Sequence, residues 1–155
     1  MDAPLRARLN DSLKTAMKEQ DKRVLSTVRL ILAAIKDRDI AARGKGNTDG
    51  LSDEEILGVL QTMVRQRQEA AELYKKGNRP ELVDQEMGEI AVIESYLPKQ
   101  LSEAEVKDAI ARVVVETGAT GIKDMGKAMA ALRAKYAGRM DFGKASGLLR
   151  EKLAG

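Results

Sequence analysis

The sequence predicts an all-α protein in two parts. Apolar residues recur at helical spacing in seven successive stretches, and no stretch alternates as a convincing strand. The segment Tyr96, Leu97, Pro98, Lys99, Gln100, Leu101 closes one long helical pattern and opens another of different charge. Pro98 has no amide hydrogen and disfavours the α conformation at Leu97, so Leu97 and Pro98 are expected to form a hinge. It separates an N-terminal bundle of about four helices over residues 1–97 from a small three-helix domain over 98–155.

The first helix rests on Leu5, Leu9, Leu13 and Met17, an apolar stripe at steps of four between residues 4 and 19, with Arg and Lys opposite. Asp21 is positioned to cap a second helix, on which Val24, Val28, Ile31 and Ile35 share a face that Leu25, Leu32 and Ile40 widen. Such a broad apolar face belongs at the centre of a bundle. From Arg43 to Gly50 the chain reads RGKGNTDG, three glycines and no apolar side chain, and this is an exposed connector. It lacks the spacing and the preceding strand of a phosphate-gripping Walker loop.

Ser52 and Glu55 form a capping box, after which Ile56, Leu57, Leu60, Met63, Val64, Ala71 and Tyr74 mark the longest helix, stopped at Gly77. Asn78, Pro80 and Glu81 start a fourth, with Val83, Met87, Ile90, Ile93 and Leu97 inward and Glu86, Glu89 and Glu94 on the other faces. A connection this short requires an antiparallel pair. Arg65, Arg67, Glu69 and Glu72 read as exposed helix-surface charges. Past the hinge, Ser102 and Glu105 repeat the capping box before Val106, Ile110, Val113 and Thr117, ending near Gly118. Asp124 is placed to cap a sixth helix carrying Met125, Met129, Leu132 and Tyr136 to Gly138, and Asp141 a seventh carrying Phe142, Ala145, Leu148 and Leu149. The run Val113, Val114, Val115 is β-like, but its helical flanks outvote it.

Composition removes most catalytic chemistries. Among 155 residues there is no Cys and no His, which excludes disulfides, thiol nucleophiles, the usual zinc ligand sets and any His-based catalytic pair. No metal site, small-molecule cofactor or catalytic residue is therefore expected. The carboxylates of the middle region lack the Glu-x-x-His pairs of di-iron bundles and read as a solvated face. No apolar run approaches the length of a membrane span, so a soluble, cytoplasmic protein without a membrane partner is expected.

The net charge of +3 conceals a strong segregation. Residues 1–45 hold 11 basic and 6 acidic side chains, 46–98 hold 5 and 11, and 99–155 hold 11 and 7. After residue 121 the imbalance is eight basic to three acidic, which suggests a polyanionic partner.

The strings EIAVIESYLPKQLSEAEV, VRLILAAIKDRDI, VLQTMVRQRQEAAELYKKGNRPELVDQE and GIKDMGKAMAALRAKYAGRMD together resemble the YqeY family, over about Leu5 to Leu153. That family is related to the C-terminal tail of the B subunit of the tRNA-dependent amidotransferase. The resemblance implies a larger N-terminal helical bundle, a small C-terminal three-helix domain, and a role beside tRNA. In the amidotransferase the related tail holds tRNA by its elbow, and similar domains are fused to some glutaminyl-tRNA synthetases. The family label of carbon-nitrogen ligase with glutamine as amido-N-donor belongs to larger relatives; the activating domain and the glutaminase have no counterpart in this sequence, so this chain alone is expected not to catalyse that reaction.

Structured RNA is read mainly through shape, phosphates and 2′-hydroxyls, and spread Lys and Arg suffice for that mode. With Tyr136 and Phe142 on apolar stripes, single-strand stacking is not expected. The candidate tRNA-binding residues are Lys123, Lys127, Arg133, Lys135, Arg139 and Lys144. Gly126 and Gly138 offer close backbone approach to phosphate, although packing and capping explain both. The alternative reading is an adaptor that binds a synthetase or amidotransferase subunit.

Overall fold

A computed structural model describes residues 4–155. Among them the chain forms seven α-helices and no strand: α1 Leu5–Glu19, α2 Lys22–Gly44, α3 Asp53–Lys76, α4 Pro80–Glu94, α5 Glu103–Thr117, α6 Met125–Tyr136 and α7 Phe142–Ala154. A 3₁₀ turn, Ile122–Asp124, precedes α6. The chain divides after Leu97 into two compact units. No described helix is long and apolar enough to cross a membrane.

In the first unit, α1 to α4 enclose a core of Leu5, Leu9, Val28, Ile31, Ile35, Ile56, Val59, Leu60, Met63, Ile93 and Tyr96. Short polar links start and stop its helices. The Asp21 carboxylate accepts from Val24 N at 3.2 Å, and the Ser52/Glu55 capping box is complete. At the other end of α3 the left-handed residue is Asn78, φ +55°, rather than Gly77, whose φ is −83°. Asn tolerates that region because its side chain bonds locally, and Pro80 then opens α4 with its φ already helical.

One end of this unit is tied by charge. Arg6 on α1 grips Asp39 on α2 through two hydrogen bonds, 2.9 and 2.6 Å, and Asp39 Oδ1 also accepts from Leu51 N at 2.9 Å. The loop into α3 is thus fastened to both helices. Gly50 makes this possible: its φ of +86° suits glycine, and a Cβ there would lie 3.1 Å from the Arg6 guanidinium.

Five side chains of this unit depart from the sequence expectation. Met17, Ile40 and Met87 extend apolar stripes but stand exposed, 54%, 54% and 52%: Met17 ends a stripe at steps of four, which drifts round the helix, Ile40 lies about 140° round from Ile35, and Met87 is left uncovered by the facing helices. On α1 it is Ala16, 2% exposed, that faces inward in place of Met17. Arg67 and Glu89, expected on outer faces, instead pair across α3 and α4 at 3.0 Å with side chains 15% and 14% exposed. Burial and the Glu89 charge push the neighbouring Glu86 carboxyl above its usual range.

The second unit packs α5, α6 and α7 around Ala109, Ile110, Val113, Ala128, Met129, Leu132, Met140, Ala145, Leu149 and Leu153. The Ser102/Glu105 capping box is complete, and Gly118, φ +67°, ends α5 in the left-handed conformation. Ser102→Ala is expected to cost about 1 kcal/mol, because Glu105 N loses its acceptor. An unchanged denaturation midpoint would contradict that assignment of the cap. Asp124 caps differently from the sequence expectation. Its carboxylate turns back to accept from Thr120 N at 2.9 Å and Gly121 N at 3.3 Å, closing the turn before the 3₁₀ segment instead of the start of α6. Those bonds, that to Thr120 N foremost, hold its carboxyl below the usual range.

Candidate nucleic-acid interface

The six candidate cations occupy the second unit, and the structure separates them into two groups. Lys123 in the 3₁₀ turn, Lys127 in the first turn of α6, and Lys144 in the first turn of α7 are exposed, with no side-chain hydrogen bond or ion pair among the described residues. Arg133 is exposed on α6 with its guanidinium carbon 6.0 Å from the Phe142 ring centroid, a contact that orients the cation without neutralising it. The other two are engaged. Lys135 forms an ion pair with Glu116 of α5, and Arg139 is half-buried, its Nε donating to Lys99 O at 3.1 Å.

Helix geometry spreads the α6 cations. At about 100° per residue, Arg133 lies roughly 120° to one side of Lys127 and Lys135 roughly 80° to the other. They form a broad basic surface and no convergent pocket. Between them Gly126, Ala130 and Ala134 are exposed and small, and a Cβ on Gly126 would meet nothing within 4 Å. Gly138 serves the fold: at φ +74° it reverses the chain after α6, and its carbonyl accepts from Gln100 Nε2 at 2.6 Å.

Three of the seven acids of this unit are turned to the backbone, and a fourth meets a lysine. Glu105 and Asp141 cap helices, Asp124 closes a turn and Glu116 meets Lys135. Sequence reading missed the role of Gln100, Arg139 and Leu101. Leu101 N donates to Arg139 O at 2.9 Å, and with the bonds from Gln100 and Arg139 this ties residues 99–101 to the turn between α6 and α7. Leu97, which packs on the first core, and Pro98 stand on either side of the division between the two units. Nothing in the spacing of these residues signals a bond across some forty positions.

An all-helical protein of two units, the second basic with its α6 cations spread over a broad surface, is the class that the geometry defines. The chain belongs to the YqeY family, whose pattern, described as Yqey-like protein, matches residues 6–153. Similar proteins include "Altered inheritance of mitochondria protein 41, mitochondrial" of Lachancea thermotolerans, 32% identical over 112 residues, 71% of this chain and 58% of the relative. The protein of the same name from Kluyveromyces lactis is 31% identical over 108 residues, 70% of this chain and 56% of its own. A Schizosaccharomyces pombe protein is 28% identical over 102 residues, 66% and 76% of the two chains. The chain thus spans little more than half the length of the first two relatives.

Proposed function

We propose that this protein is an RNA-binding accessory that holds tRNA by its phosphates, acting beside tRNA aminoacylation or amidation and without catalysis of its own. The observation that carries this reading is the set of exposed cations Lys123, Lys127, Arg133 and Lys144, none of which has a carboxylate partner among the described residues. The sequence resemblance to the amidotransferase tail supports tRNA as the RNA. The Lachancea and Kluyveromyces relatives carry the word mitochondrial in their names, so the proposed compartment is wherever tRNA is charged, the cytoplasm or the mitochondrion.

Fluorescence anisotropy with labelled tRNA across a salt series tests the proposal. Log affinity should fall linearly with log salt, and each lost phosphate contact should flatten the slope by roughly 0.7 to 0.9. Lys127→Ala with Arg133→Ala is expected to weaken many tRNAs together. The matched acidic control uses Asp84 and Glu94, which are exposed on α4, since Glu89 is committed to Arg67. Equal loss from acidic and basic substitutions, or no binding at low-millimolar salt, would favour the adaptor that binds a synthetase or amidotransferase subunit.

A further inference from the structure

The N-terminal unit carries a second basic feature that the candidate residues do not include. Lys22, Arg29, Lys36 and Arg43 recur every seven residues along α2, and all four are exposed. Seven residues are two turns to within about 20°, so the four cations form one slowly drifting row. At 1.5 Å per residue it runs about 32 Å, the length of the helix.

Three observations show that the row is not neutralised by side chains of its own unit. None of the four side chains has a salt bridge or side-chain hydrogen bond among the described residues, whereas Arg6, Arg67, Arg79 and Lys135 each have a carboxylate partner. The positions beside the row are Ser26, Ala33 and Ile40, again at steps of seven, so no acid sits at helical i,i+4 spacing on the outer face. The acid that does have that spacing, Asp39, lies below the row with its oxygens taken by Arg6 and Leu51 N, and Asp37 lies about 100° round from Lys36. Long-range attraction from Arg43 reaches Asp39, but the guanidinium itself stays exposed.

We propose that this α2 ridge is a second phosphate-contacting surface, so that RNA is held by both units of the chain. The proposal takes its ligand class from the RNA-binding reading above. A slowly drifting row of like charges over some 30 Å matches a polyanion whose charges repeat along a line. In a nucleic acid phosphates recur every few ångströms, far more densely than one cation per two turns, so contact needs no sequence register. A membrane surface fits less well: an interfacial helix buries its apolar side in lipid, and here Val28, Ile31 and Ile35 are already sealed in the bundle core.

The test uses the full chain with Lys22→Gln, Arg29→Gln, Lys36→Gln and Arg43→Gln, combined and in pairs, against labelled tRNA in a salt series. A variant with Ser26→Gln and Ala33→Gln, which changes the same face without removing charge, is the control. Far-UV circular dichroism verifies that each variant keeps its helix; if the fourfold variant loses helix, the pair Arg29→Gln and Lys36→Gln carries the test. The expected result is a salt slope flattened by about 3 in the fourfold variant, or by about 1.5 in the pair, with the control unchanged. Flattening by Lys127→Ala and Arg133→Ala but not by the ridge variants overturns the ridge and leaves the proposed function standing. The reverse pattern upholds the ridge and removes the C-terminal site. No RNA binding by the unaltered chain overturns both. Loss of binding to vesicles of anionic phospholipid, with the RNA slope untouched, overturns the ridge in favour of a membrane surface.

Discussion

Leu132→Ala is expected to destabilise the second unit by about 3 kcal/mol while residues 5–97 keep their stability. Leu132 is fully buried on α6 among Ala128, Met129, Leu149 and their neighbours, and truncation leaves a cavity that three short helices cannot easily close. The two cores share no residue, and each is expected to open as its own cooperative unit. Hydrogen exchange followed by mass spectrometry reads both at once. Amides of α5 to α7 should exchange faster, and those of α2 and α3 should not. Equal acceleration in both units would mean that they unfold as one cooperative body.

Asp39→Ala is expected to cost about 2 kcal/mol in the first unit. The change strips two charge-assisted bonds from Arg6 and orphans Leu51 N, freeing the loop that leads into α3. Asp39→Asn, which keeps one acceptor, should cost roughly half as much. The effect has a defined pH window. The Arg6 hydrogen bonds, and then that from Leu51 N, hold the Asp39 carboxyl below its ordinary value of 3.8. With the folded value below the unfolded one, the carboxylate's contribution is complete above 3.8 and is lost as pH falls through the folded value. Urea midpoints of the unaltered chain and Asp39→Ala should therefore differ by a constant amount at neutral pH and converge under acid. A gap that persists at the most acidic pH would rule out the carboxylate as its source.

The YqeY pattern and the charge segregation are properties of the chain in order, and they were legible without coordinates. So were the helices. Five of the seven carry their own start signal, at Asp21, Ser52, Pro80, Ser102 and Asp141, and apolar spacing marks one side of each helix; both are local, set by residues a turn or two apart. The α2 ridge is local in the same sense, since its period is written in the sequence.

Local rules fail where a side chain's surroundings come from another helix. Periodicity places Met87 on an apolar stripe of α4, yet whether a neighbour covers that point depends on how far the facing helix extends, and it stands half exposed. The same limit applies to charge. Arg67 and Glu89 look alike in sequence to their solvated neighbours, and only the approach of α3 to α4 turns them into a pair shielded from water. Lys135 and Arg139 belong to the same basic run as Lys127, but Glu116 and the Lys99 carbonyl, 19 and 40 residues away, engage them. Composition and spacing determined which residues are cationic and which segments are helical. Which cations stay without a carboxylate or carbonyl partner was decided by tertiary packing, because an ion pair or a desolvated surface forms between segments that only folding brings within a few ångströms.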